Sequence, residues 1–153
     1  WLRAAQAKAL DLQNTGMAVA MDLGNPSNIH PTNKQAVGGR LARLALKNVY
    51  GLSINDRGPV FASTQREGTV LRLKFANAAG LSLVGDPHVA FAIAGEDRRF
   101  VPANAVVSGD TVVVSAVEIT APVAVRFNWV NSSLVTLQND AGLPAAPFRS
   151  DNW

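Results

Sequence analysis

The chain has 153 residues, of which 48% are hydrophobic and 16% charged, and its net charge is +3 at pH 7. This length is enough for one domain or two small ones. The sequence contains no block of basic residues interleaved with aromatics, which argues against nucleic-acid binding. No apolar run is long enough to span a bilayer, and the absence of cysteine excludes a thiol nucleophile, disulfides and cysteine-based zinc sites.

The first part of the chain has the pattern of an α/β layer. Residues 2–10 are strong helix formers. After a turn signal, Met17 to Leu23 is predicted to form a short buried strand, because its residues are small and apolar. Residues 24–31 follow as a loop that contains two prolines.

A second, longer helix is predicted after this loop. Thr32 or Asn33 can cap its first turn, and apolar residues then recur at helical spacing up to Gly51, which suits a helix C-terminus. Helix, strand, loop and helix in this order are typical of the end of an α/β layer.

From residue 53 onward the sequence is typical of β structure. A polar linker covers residues 53–59, and several runs then alternate apolar and polar side chains, as in Leu71 to Phe75. Turn signals separate about seven such runs, one of which is predicted to start at Val89, so we expect an antiparallel sandwich. The tail, residues 142–153, is too rich in proline for regular structure, and its Phe and Trp are expected to anchor it to a surface.

His30 is the most informative single residue. It lies on the strand-to-helix loop, where α/β hydrolytic folds display a general base, and Pro26 and Pro31 can hold the loop rigid. A plain hydrogen-bonded loop histidine is the competing interpretation. No nucleophile accompanies His30, so the chain looks like the histidine-bearing end of a larger enzyme. The other histidine, His88, is interpreted as a surface residue, since its neighbourhood offers too few metal ligands.

The residues around His30 resemble a known family. Residues 14–24 followed by 28–35 resemble the sialate O-acetylesterases, which are carbohydrate esterases of the SGNH/GDSL hydrolase superfamily. Four later segments resemble the same family in the same order; they are residues 91–103, 108–112, 124–129 and 142–153. The resemblance thus spans nearly the whole chain.

The resemblance implies a serine esterase in which His30 is the general base. The Gly-Asp-Ser block with the nucleophile and the oxyanion donors would lie upstream of these residues, and no metal or organic cofactor is implied. Relatives often carry an aspartate two or three residues before the histidine, where this chain has Asn28 and Ser27. Either a backbone carbonyl near Asn28 accepts from the imidazole Nδ1, or Asp22 turns toward the ring as an orienting acid. We favour the carbonyl.

Two functions are carried forward from the sequence. In the first, residues 1–52 are the last strand and helix of an SGNH-type α/β domain, and residues 53–153 are an antiparallel β domain with a docked tail. This chain then supplies the histidine for hydrolysis of O-acetyl esters on carbohydrates, and its partners are the acetylated sugar and the upstream segment with the serine. In the second, the β part is a carbohydrate-binding or structural module without catalysis, which a row of exposed aromatics would favour. No nucleic-acid or membrane partner is expected, and the location is expected to be periplasmic or secreted.

Overall fold

The computed structural model describes all 153 residues. Three α-helices and two 3-10 turns are present: α1 (Leu2–Ala7), which continues into a 3-10 turn (Lys8–Asp11), a second 3-10 turn (Met21–Leu23), α2 (Lys34–Asn48) and α3 (Pro87–Ala90). None of these helices has the length and apolar character that a membrane crossing requires.

The rest of the chain is mostly antiparallel β structure. The ten strands are β1 (Val60–Glu67), β2 (Val70–Ala76), β3 (Ser82–Val84), β4 (Phe91–Ala94), β5 (Val101–Pro102), β6 (Asn104–Ser108), β7 (Thr111–Ser115), β8 (Ala124–Phe127), β9 (Thr136–Gln138) and β10 (Phe148–Arg149). They form two four-stranded sheets, in the orders β1-β2-β7-β6 and β10-β8-β4-β5, and a two-stranded ribbon of β3 and β9.

The hydrophobic core lies between the two larger sheets. Side chains on β2 alternate as the sequence predicts, so that Leu71, Leu73 and Phe75 are buried while Arg72 and Lys74 point away from the core. The buried side chains from the other strands of the two sheets include Val112, Val114, Phe91, Ile93, Val125 and Phe127. The prediction of an antiparallel β-rich part is therefore confirmed.

Two details of the β prediction are wrong. The strand expected from Val89 begins only at Phe91, because the Asp86 side chain accepts a hydrogen bond from the His88 amide and Pro87 favours a first helical turn. The tail is not free of regular structure either. Its Phe148 and the next residue pair with β8, since an apolar side chain there completes the core.

The strand predicted from Met17 to Leu23 is absent. Met17 to Ala20 form no element, and the remaining three residues form a 3-10 turn. A buried strand of a parallel sheet requires a neighbouring strand, and none in this chain pairs with these residues. The amides of residues 17–20 accordingly donate no main-chain hydrogen bond, although the segment is partly buried.

Helix α2 follows the sequence prediction closely. The side chain of Asn33 accepts a hydrogen bond from the Ala36 amide at 3.1 Å, so it is the N-cap. At the other end Gly51 has φ of +69°, a conformation that glycine adopts without a steric penalty. This lets the amides of Gly51 and Leu52 return to carbonyls in the last turn of the helix.

Both ends of the first 52 residues are attached to the β part. Arg3 donates to the carbonyl oxygens of Val130 and Asn131, at 2.8 and 2.5 Å. At the C-terminal end of α2, Lys47 forms an ion pair of 2.9 Å with Asp56. The loop that carries His30 lies between these two attachments in the sequence.

Candidate functional site

The loop that carries His30 is built from two consecutive Asx turns. The side-chain oxygen of Asn25 accepts from the Ser27 amide at 2.9 Å, and that of Asn28 accepts from the His30 amide at 2.9 Å. The Asn28 amide also donates to the Asn25 carbonyl at 3.2 Å. Asparagine favours such turns because its short side chain imitates a backbone carbonyl. The loop conformation is therefore specified locally, next to the capped start of α2.

His30 itself is exposed to solvent at the outer side of this loop. Its ring makes no hydrogen bond within the chain, whereas its backbone amide is held by Asn28. The preceding residue, Ile29, is 89% exposed, which is unusual for so apolar a side chain. An imidazole in this position is open to a hydroxyl group that approaches from outside the chain.

The structure does not bring either predicted orienting group to the ring. Asn28 contributes its side chain to the His30 amide, and its backbone carbonyl forms no hydrogen bond with Nδ1. Asp22 instead forms two hydrogen bonds with Arg40, at 2.7 and 2.6 Å. The roles assigned to His30, Asn28 and Asp22 stay predictions.

A cavity of about 400 Å³ lies beside the His30 loop. Its walls come from the N-terminal helix, residues 17–21, the loop residues 24–26, residues 131–134 of the β part, and residues 146 and 147 of the tail. Both apolar side chains and the polar side chains of Gln6, Asn131 and Ser132 line it. His30 is not among the lining residues.

A buried carboxylate joins α2 to the linker. The side chain of Asp56 is 2% exposed and contacts Lys47 at 2.9 Å and Arg57 at 2.8 Å. Burial by itself raises the pKa of the Asp56 carboxyl, but hydrogen bonds from Arg57 and Lys47 outweigh it and hold the pKa below its usual value of 3.8. This charged group is structural, because its oxygens are fully engaged.

A second buried carboxylate fixes the tail. The Asp151 side chain has no exposure and pairs with Arg126 at 2.9 Å and with Arg149 at 3.3 Å. Burial raises its pKa, while the hydrogen bond and charge of Arg126 and the charge of Arg149 lower it further than burial raises it. The Trp153 carbonyl accepts from both guanidinium groups. This cluster was not predicted; the one signal in the sequence is that the tail carries a single acidic residue, two positions after Arg149.

The aromatic residues do not form a row on the surface. Phe127 is fully buried and Phe148 stacks on Phe61, with ring centroids 4.5 Å apart. Trp129 and Trp153 are partly buried beside the arginine cluster. Their arrangement matches packing and tail docking, the roles that the sequence favoured over a sugar-stacking platform.

The remaining titratable side chains form at most isolated pairs, such as Glu67 with Arg72 at 2.7 Å. His88 is exposed, as expected, and the one polar partner of its ring is Asp86, at 3.2 Å. No three His, Asp or Glu side chains come close enough together to hold a metal ion.

Comparison with known proteins relates this chain to one enzyme class. No protein-family model and no curated protein matches it. The crystal structure of a carbohydrate acetylesterase from Xanthomonas citri, however, is similar at 42% sequence identity and a TM-score of 0.92. The chain is related to a carbohydrate esterase. The similarity covers 99% of this chain but only 36% of the acetylesterase chain, so this chain spans about a third of that enzyme's length.

Proposed function

We propose that this chain is the C-terminal part of a carbohydrate O-acetylesterase of the SGNH type and that it supplies the histidine of a Ser-His pair. The observation that carries the proposal is His30, solvent-exposed on a locally specified loop, in a chain related to an acetylesterase. An exposed imidazole near neutral pH is suited to accept and return a proton.

In the proposed reaction, the serine hydroxyl comes from an upstream segment of the same protein. The His30 ring takes the proton from the serine oxygen as this oxygen attacks the acetyl carbonyl of an O-acetylated sugar. The resulting imidazolium then gives the proton to the departing sugar oxygen, which leaves an acetyl-serine. Water activated by the same ring releases acetate and restores the serine.

The orienting contact of His30 forms, in this proposal, when the site is complete. The Asn28 carbonyl is two residues away on the same loop, and the His30 ring turns toward it when the upstream segment is present. Oxyanion donors in the upstream segment stabilise the negative charge that develops on the carbonyl oxygen. The protein acts in the periplasm or outside the cell, and its chemistry requires no metal or organic cofactor.

The surface of the first 52 residues supports this proposal. Large apolar side chains are exposed along it, namely Trp1, Leu2, Leu10, Leu12, Ile29, Leu41, Leu46, Val49, Tyr50 and Leu52. The unpaired amides of residues 17–20 lie in the same part of the chain. A soluble protein covers such a surface with another element, and a strand from the upstream segment would also supply partners for those amides.

The decisive experiment compares the two histidines in the longer esterase that contains this chain. His30→Ala is expected to lower kcat/KM for 4-nitrophenyl acetate and for an acetylated sugar about 1,000-fold or more, because the general base is lost. His88→Ala is the matched control, since this side chain is exposed and contacts only Asp86. Full activity of the His30→Ala enzyme would refute the proposed role.

The isolated 153-residue chain gives a second test. It is expected to hydrolyse 4-nitrophenyl acetate no faster than the same concentration of free imidazole, because it lacks the serine. Turnover well above this background that His30→Ala abolishes would place the nucleophile within this chain and contradict the proposal.

A further inference from the structure

We infer that Arg40 is a positioning residue for His30, which it serves by clamping the two ends of the His30 loop together. The inference rests on the proposed function, because it concerns the geometry of that general base. It also assigns Asp22 to this clamp rather than to the imidazole.

The clamp consists of three short hydrogen bonds from one guanidinium group. Arg40 Nη1 donates to Asp22 Oδ1 at 2.7 Å and Nη2 donates to Asp22 Oδ2 at 2.6 Å, which is a bidentate pair. Nη1 also donates to the Val19 carbonyl at 2.6 Å. The side chains of Arg40 and Asp22 are only 12% and 18% exposed, so water screens the pair little.

The position of these residues in the chain gives the clamp its effect. Val19 and Asp22 precede the loop, and Arg40 follows it, in the second turn of α2. The segment before the loop forms no sheet here, so Arg40 holds it against the helix. His30 lies between the clamped points, where the Asx turns and the Asn33 cap already fix the backbone. The direction of the imidazole therefore depends on how the loop is anchored at its base.

The same geometry decides what Asp22 can do. Both of its carboxylate oxygens are engaged by Arg40, so the carboxylate is neutralised and has no free oxygen directed at the imidazole. The two possible roles of Asp22, as partner of Arg40 in the clamp or as orienting acid for His30, therefore predict opposite effects of substituting Arg40. A clamp fails when either partner is removed, whereas an orienting acid released from Arg40 would remain able to act.

The test uses the longer esterase and the variants Arg40→Gln, Arg40→Lys, Asp22→Asn and Arg40→Gln with Asp22→Asn. We expect Arg40→Gln and Asp22→Asn each to lower kcat by about 10- to 100-fold with KM within about twofold, because a shift of the base by about 1 Å costs rate and not substrate binding. The double variant should lose no more activity than either single variant, because each single substitution already breaks the same Arg40–Asp22 pair. Arg40→Lys should lose most of the activity as well, because lysine cannot form the bidentate pair of hydrogen bonds with Asp22.

The control is Arg43→Gln, one turn further along α2, where the arginine contacts only the Asn55 carbonyl. Its kcat should stay unchanged. Each kcat is divided by the active-site concentration, measured as the end point of labelling with diethyl 4-nitrophenyl phosphate, so that a misfolded fraction does not count as a loss of rate.

The outcomes separate this inference from the proposed function. A fully active His30→Ala enzyme overturns both. An inactive His30→Ala enzyme with unchanged kcat in Arg40→Gln overturns the clamp alone, and so does a loss confined to Asp22→Asn, which would make Asp22 the orienting acid. The clamp is supported if the two single variants lose kcat equally and the double variant loses no more than either of them.

Discussion

At the scale of single residues, the structure depends on carboxylates that are buried and paired. Asp56 joins α2 to the linker, and Asp151 joins the tail to β8. For both, the pKa in the folded protein lies below its usual value despite burial, because cations hold the charged form. Removing one partner from such a group costs more than an exposed ion pair contributes, since the other partner is left partly desolvated.

These shifts predict how stability depends on pH. Because the folded pKa of Asp151 is lower than the unfolded one, its stabilisation is complete above about pH 4 and is lost as the pH falls through the folded pKa. Asp151→Asn should lower the free energy of unfolding by about 2 kcal/mol at pH 7 and flatten its decline below about pH 4. Urea titrations at several pH values measure both effects.

Asp11→Asn is the control for this prediction, because Asp11 is exposed and has no ion-pair partner. Its unfolding curve should match that of the parent chain across the same pH range. If the free energy of unfolding falls as steeply with acid in Asp151→Asn as in the parent chain, the Asp151 carboxylate does not contribute to the pH dependence.

Residue-scale features were predictable from the sequence only where they are local. Asn33 caps α2 through an amide three residues away, and Leu71 faces the core through simple alternation. Arg40 meets Asp22 across 18 positions, and Asp151 meets Arg126 across 25. Such pairs depend on how the elements pack, and no spacing rule in the sequence reveals them.

At the scale of elements, the linker packs closely against the tail at a glycine. Gly58 is buried in the linker just before β1. A Cβ atom added there would collide with the backbone carbonyl of Pro144 in the tail. Because backbone atoms cannot move aside as a flexible side chain does, the linker and the tail require glycine at this position.

Gly58→Ala should therefore destabilise the chain by about 3 kcal/mol, which is the upper end of the cost of overpacking. Thermal unfolding followed by circular dichroism measures the loss. Ser53→Ala, at an exposed position of the same linker, should change stability by less than about 0.5 kcal/mol. An alanine at position 58 without a fall in Tm would mean that the linker and tail can separate.

The missing strand from Met17 to Leu23 shows where prediction of elements ends. Its composition indicates a buried strand, but a strand forms only when a neighbour pairs with it, and this chain has no such neighbour. By contrast, β6 and β7 form a hairpin around Ser108-Gly109-Asp110, a turn signal between two apolar runs, and both strands and the turn lie within the chain. Locally paired elements could be predicted, whereas composition alone does not show whether an apolar segment has a strand to pair with.

At the scale of the whole molecule, two exposed positions of α2 give the most direct test of the proposed upstream segment. Gly38 and Gly39 lie inside the helix, where glycine is unfavourable, and a Cβ added at either position would meet no atom within 4 Å. Within this chain, then, no packing contact accounts for the two glycines. A partner that approaches the helix closely would account for both.

We therefore expect alanine at these positions to have opposite effects on the stability of the isolated chain and of the proposed longer esterase. In the isolated chain, Gly38→Ala and Gly39→Ala should each stabilise the fold by about 1 kcal/mol, because alanine is the better helix former and has open space around it. In the proposed longer esterase, at least one of them should destabilise by about 1–3 kcal/mol through overpacking against the upstream segment. Gln35→Ala, exposed on the same helix, should have the same small effect in both proteins. If both glycine variants are equally stabilising in the two proteins, the upstream segment does not cover this part of α2.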